Sequence, residues 1–255
     1  MILDRFRLDG QLAVVTGAGR GIGRAVALAL AQAGADVVVA SRTQTELDTL
    51  VAEVQACGRR GLAVVADMAM RTDVERLIAT ALTHFGQLDV LVNNAGIFQT
   101  WAPPEQVNEQ EWDRVFDVDL KSAFLASQLA GRHMLERGRG SIINIASIAG
   151  VVALPLTVSY TACKAGMMAM TQAMAIDWAQ RQVRVNAIAP GFIATPANAG
   201  LRADPDARQA VEAKTPLGRF GEVEEVATAA VFLASSAASY VTGTTLLVDG
   251  GWTAQ

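Results

Sequence analysis

Short apolar runs alternate with longer stretches of helical periodicity along the whole chain. Leu12–Thr16 (LAVVT) predicts a strand, and 22–34 has apolar residues at helical spacing up to a glycine stop. Asp36–Ala40 (DVVVA) predicts a second strand and 43–57 a helix carrying Leu47, Leu50, Val51 and Val54. The alternation continues through a strand at 62–66, a helix at 72–85, a strand at 88–96 and one or two helices within 109–137. It ends with a strand at 141–147, a helix at 158–181, a strand at 183–190, a helix at 223–235 and a last strand in TTLLVDGG.

Strands that are near-continuous Val, Ile and Leu must be covered on both faces, which requires a parallel sheet with helices above and below. Right-handed crossovers then give an α/β, doubly wound parallel sheet. No linker, charge block or repeat divides the chain, so a single domain over 1–255 is expected. The longest segment without strand character, 191–219, is expected to form a mobile cap over a site.

The composition is 51% hydrophobic and 18% charged, with mean hydropathy +0.29. It suits a fully buried sheet with apolar surface left for subunit contacts. A net charge of -4 gives no general attraction to nucleic acid or anionic membrane. The opening MILDRFRLDG scatters charges and has no apolar core, so no secretory signal is expected there, and no apolar run reaches membrane-spanning length. Cys57 and Cys163 lack metal-type spacing and read as free thiols of a reducing compartment, so a soluble, cytoplasmic protein is expected. His84 and His133 lie on separate helices, and no cluster of metal-ligating residues occurs.

TGAGRGIG, residues 16–23, joins the first strand to the first helix. Gly17, Gly21 and Gly23 permit a tight turn and let backbone N–H groups approach a pyrophosphate at the helix N-terminus. That context, after a strand and opening a helix, points to a dinucleotide. The end of the second strand, where an acid would bind a ribose hydroxyl, carries Ser41 and Arg42. A guanidinium there suits a 2′-phosphate, and Arg20 adds a second cation, so NADP(H) is favoured and NAD(H) stays open.

The chain holds two tyrosines and three lysines, and one of each stands four apart in SYTACKAG. On a helix, Tyr160 and Lys164 share a face, and a nearby cation pulls a phenol down toward the range of a proton-transfer catalyst. The pair alone also fits an ordinary helix surface.

Together, TGAGRGIG, NNAG at 93–96, Ser147 thirteen residues before Tyr160, Tyr160 with Lys164, and NAIAPGFIAT at 186–195 resemble the short-chain dehydrogenase/reductase family over the full length. The resemblance implies a Rossmann fold and a homotetramer. It implies hydride transfer between a nicotinamide and a small-molecule secondary alcohol or ketone. Tyr160 would be the proton donor, Ser147 a hydrogen-bond donor to the substrate oxygen, and Lys164 the group that lowers the phenol and holds the nicotinamide ribose. Asp67 and Met68 would meet the adenine; Ile22, Asn94, Ala95 and Gly96 would line the cofactor. Pro190 and Gly191 would also bind the cofactor, while Ile193 and Thr195 would reach the nicotinamide amide. Asp119 stands where the family usually has Asn, and its carboxylate is expected to stabilise the Lys164 ammonium.

The termini and LRADPDAR look most like the branch of 2-deoxygluconate 3-dehydrogenase and gluconate 5-dehydrogenase. A 3-oxoacyl carrier-protein reductase and a non-catalytic dinucleotide-binding protein are the alternatives. Trp101, Pro155 and Phe192 are expected to flank the substrate pocket, while Cys163 and the methionines after the site are expected to pack.

Overall fold

The computed structural model describes residues 1–98 and 100–255. Seven strands form one parallel sheet: β1 (Leu12–Thr16), β2 (Asp36–Ser41), β3 (Gly61–Val65), β4 (Val90–Asn93), β5 (Gly140–Ile145), β6 (Val183–Pro190) and β7 (Thr245–Val248). Their spatial order is β3-β2-β1-β4-β5-β6-β7. Val14 pairs with Val38 on one side and Leu91 on the other, so chain order reverses between β1 and β4. A crevice opens at the carboxyl ends of the strands flanking such a switch point.

The two-residue period of each strand feeds two cores. Ala13, Val15, Val37 and Val39 pack against α1 (Gly21–Gln32), α2 (Gln44–Ala56) and α9 (Val223–Ala234). Leu12, Val14, Val38 and Leu91 face α3 (Arg71–Phe85) and α5 (Ser122–Arg137) on the other side, together with α6 (Val158–Trp178). Among the described residues no helix is long and apolar enough to cross a membrane.

Three local departures from the predicted elements bear on the site. β4 stops at Asn93 because the Thr16 hydroxyl accepts the N–H groups of Asn94 and Ala95, both at 3.0 Å, which turns NNAG out of the sheet. The rod over 109–137 consists of α4 (Glu109–Val115), a π turn (Phe116–Lys121) and α5. A π turn inserts one residue into the α ladder and is frequent at functional sites; this one carries Asp119, fully buried. The segment 191–219 is helical, with α7 (Ala199–Ala203) and α8 (Pro205–Lys214), the latter started by Pro205 and capped by the Asp204 carboxylate.

A buried polar chain braces the strand ends beneath the crevice. Asn93 Nδ2 donates to Asn144 Oδ1 at 2.9 Å, and Asn144 Nδ2 donates to Thr171 Oγ1 at 2.8 Å. Such a chain ties β4, β5 and α6 to one register.

Candidate active site

The crevice is a cleft of about 730 Å³, within the size range of cofactor and substrate sites. At one end stands the glycine loop. Gly17 and Gly21 have φ of +62° and +57°, and a Cβ on Gly17 would lie 2.8 Å from the Ala95 Cα. Only glycine fits there without strain. The Asn94 side chain holds the loop, its Nδ2 donating to the carbonyls of Thr16 and Gly17 at 3.0 Å each. The α1 N-terminus therefore faces the cleft with its N–H groups uncovered by side chains, which fits a pyrophosphate.

Gly23 behaves differently from the expectation. It does not line the cleft; a Cβ there would collide with the Gly17 carbonyl and the Asn94 amide. Its role is close packing of helix on strand. Gly23→Ala is expected to cost about 1–3 kcal/mol, because the obstruction is backbone that cannot yield, and a thermal melt checks it.

Arg20, Gly21, Ile22, Ser41, Arg42, Asp67 and Met68 line the same end, as the sequence predicts. Arg20 and Arg42 are exposed. Ser41 and Arg42 bring no acid to the end of β2, but one arrives from the following helix. Glu46, on the first turn of α2, folds back over Gly19 beside Ser41 and lines the cleft with them. Asn94, Ala95, Gly96, Pro190, Gly191, Ile193 and Thr195 line the middle. The chain at 191–198 is fastened there: Ala194 N donates to the Gly221 carbonyl at 2.7 Å, and Asn198 Nδ2 to the Ile193 carbonyl at 2.7 Å.

Ser147, Tyr160, Lys164 and Asp119 converge on the far wall. Ser147 follows β5 and starts a short turn, its hydroxyl accepting the Ala149 N–H at 3.1 Å, and it also hydrogen-bonds the Tyr160 phenol. Tyr160 and Lys164, one turn apart on α6, face the same space, with Lys164 Nζ 5.4 Å from the phenol ring centre. Lys164 is 4% exposed; its Nζ donates to the Ile145 carbonyl at 3.2 Å and lies 3.1 Å from Asp119 Oδ2. Asp119 Oδ1 accepts the Ile97 N–H at 2.8 Å, and a Cβ on Gly96 would press on the carboxylate at 2.8 Å.

The electrostatics follow from burial. Burial alone would drive Lys164 toward the neutral amine, but Asp119 first, then Tyr160 and Cys163, together more than reverse this, and the ammonium is held well above its usual range. Burial likewise pushes the Asp119 carboxyl up, against the pull of Lys164 and the Ile97 N–H. Tyr160 moves opposite to the expectation. Burial raises the phenol first, Lys164 and Ser147 pull it down, and Asp119 raises it again, for a net upward shift. Lys164 is the strongest group opposing the burial, and it does not overcome it. Burial also pushes the Cys163 thiol up to about 12; with its sulfur 3.9 Å from the Val115 carbonyl, it packs as expected.

Beyond Tyr160 the cleft is bounded by side chains of three loops. Trp101 and Phe192 are there as predicted, whereas Pro155 is exposed outside and Leu154 takes its place. Phe98 and Leu201 complete this wall; no motif marks Phe98 in the sequence, and Leu201 stands there only as the first residue of LRADPDAR.

Comparison with known proteins agrees with this geometry. A family model described as enoyl-(acyl carrier protein) reductase matches residues 17–253. The chain is 42% identical to 2-dehydro-3-deoxy-D-gluconate 5-dehydrogenase of Escherichia coli (strain K12), over 100% of both proteins. It is also 42% identical to 3beta-hydroxysteroid dehydrogenase 1 of Eggerthella lenta, over 96% of this chain and 95% of that one. The crystal structure of a gluconate 5-dehydrogenase from Burkholderia cenocepacia J2315, in complex with NADP and tartrate, superposes with a TM-score of 0.95 at 39% identity, over 100% of both chains.

Proposed function

The chain belongs to the short-chain dehydrogenase/reductase family, dinucleotide-dependent dehydrogenases acting on hydroxyl groups, and on that footing we propose that it interconverts a secondary alcohol and its ketone with NADP(H). The observation that carries the reading is the meeting of Ser147, Tyr160 and Lys164 in the same cleft as the glycine loop. When bound, the nicotinamide supplies or accepts the hydride. In the reduction direction Tyr160 gives its proton to the substrate oxygen as that oxygen gains charge. Ser147 donates a hydrogen bond to the same oxygen, a dipole aimed where charge develops. Lys164, held as an ammonium by Asp119, is a fixed cation behind the phenol that stabilises the phenolate left after transfer. The upward-shifted phenol keeps its proton at neutral pH, which suits an acid.

The fit to NADP(H) rests on the exposed Arg20 and Arg42 beside Ser41. Arg42→Ala is expected to raise KM for NADPH about ten- to a hundred-fold through lost charged hydrogen bonds, while KM for NADH changes little. Glu46→Gln acts in the opposite sense and tightens NADPH, because it removes a like charge from the same corner. Initial-rate kinetics with both cofactors check the pair; an equal loss for NADH and NADPH in Arg42→Ala removes the phosphate assignment.

Three features complete this reading. The 191–219 segment closes over the substrate; the protein works in the cytoplasm; and the chain assembles as a homotetramer, for which the exposed Phe124, Ile176 and Tyr240 supply apolar surface. Turnover of NADPH with ketones, absent in Tyr160→Phe, tests the proposed activity itself. The relatives' names range over sugar acids, glucose, a 3-oxoacyl carrier protein and a steroid, so the family alone leaves the substrate class open.

A further inference from the structure

We infer that the substrate is a neutral ketone or secondary alcohol carrying a flat apolar group, aromatic or alicyclic, and not a polyhydroxy acid. This inference rests on the oxidoreductase reading above and specifies what its site accepts.

Three segments contribute to the cleft beyond the phenol: the described residues of 94–104, together with 147–160 and 191–201. None of the three contains a Lys, Arg, His, Asp or Glu. Their apolar side chains on the cleft include Phe98, Trp101, Leu154, Phe192, Ala197 and Leu201, and the polar ones are the uncharged Asn94, Ser147, Tyr160, Thr195 and Asn198. Phe98 stacks at a tilt on the Tyr160 ring, with centres 4.5 Å apart, and Trp101 follows at 5.4 Å from Phe98. A continuous aromatic shelf therefore runs outward from the reacting hydroxyl. Phe98 is 46% exposed and Trp101 53%, so both side chains offer uncovered apolar surface beside the phenol. Apolar area left open beside a reacting group is expected to be covered by apolar ligand surface.

Among the described residues this wall offers the carboxylate of a sugar acid no cation. The ionised groups that do line the cleft are elsewhere: Arg20, Arg42, Glu46 and Asp67 at the loop end, and the Asp119–Lys164 pair buried behind the phenol. Arg202, the first cation after the third segment, is engaged with the chain itself, its Nη2 donating to the Thr195 carbonyl at 3.0 Å and its Nε to Asn198 Oδ1 at 3.2 Å. Desolvating an unpaired carboxylate and several hydroxyls against aromatic rings opposes binding, whereas a fused or planar ring gains by it.

The test measures NADPH consumption by the intact wild-type protein with β-tetralone, butanone and a ketogluconate. The kcat/KM for β-tetralone is expected to exceed that for the ketogluconate by about 10²-fold, the scale of one ring's apolar burial. Trp101→Ala is expected to raise KM for β-tetralone about ten-fold, with kcat held within about two-fold. Equal or better turnover of the ketogluconate overturns this inference and leaves the oxidoreductase reading standing. An unchanged KM in Trp101→Ala overturns the shelf as the recognition surface. No NADPH consumption with any of the three ketones removes the oxidoreductase reading and this inference together.

Discussion

Tyr160→Phe is expected to lower kcat by about 10²–10⁴-fold, the range that a positioned acid contributes. The substitution removes one oxygen and leaves the ring, so the stacking on Phe98 at 4.5 Å and the packing of α6 are retained, and the melting temperature should stay close to that of the wild type. Lys164 keeps both of its contacts, to Asp119 and the Ile145 carbonyl. NADPH affinity should therefore change by no more than about five-fold, the scale of one neutral hydrogen bond. Steady-state kinetics paired with a fluorescence titration of NADPH separate the two effects. A variant that keeps a tenth or more of the wild-type kcat removes Tyr160 from the role of acid. Loss of cofactor binding together with activity would make the phenol a binding group instead.

Most of the fold was legible because it depends on local periodicity. Continuous apolar runs such as VVVA and AVV can only be strands buried on both faces, and Gly17 and Gly21 mark a turn that needs positive φ. The Tyr160–Lys164 pair was legible for the same reason, since four residues on a helix is a fixed geometry. What escaped the sequence is what separate segments make only when folded together. Glu46 reaches the cofactor corner because α2 turns it back over Gly19, and not because it follows directly on β2 as Arg42 does. Phe98 and Leu154 come from two loops and Leu201 from α7, and the three share no pattern, so the apolar wall exists only in three dimensions. Leu154 faces inward where Pro155 was expected because the period of an irregular loop cannot be read from its residues. The direction of the Tyr160 shift depends on how much water the fold removes, a quantity with no sequence signature.

Asp119 is where these strands of reasoning meet, and its removal is the most disruptive change expected outside the phenol. Asp119→Ala leaves the Lys164 ammonium, 4% exposed, without its counter-charge and the Ile97 N–H without its acceptor. Breaking one side of a buried pair costs about 3–5 kcal/mol, which for a chain of this size is a fall in Tm of roughly 6–20 °C. Asp119→Asn is the informative partner, because an amide oxygen can still accept from Ile97 while the charge is gone. In the wild type Lys164 titrates above its unfolded value, so the stability it contributes is present at neutral pH and is lost as pH rises through that raised value. In Asp119→Asn burial acts unopposed by the carboxylate, Lys164 titrates lower, and the window of stability closes at lower pH. The phenol responds in the same direction, since Asp119 is among the groups that raise it and Lys164 then acts on it alone. Alcohol oxidation needs the deprotonated phenol, so the rise of kcat/KM with pH should move to lower pH in Asp119→Asn. A pH–rate profile measured on the alcohol with NADP⁺ checks this; a profile that stays in place, or moves to higher pH, means that the carboxylate braces the wall without acting on Tyr160.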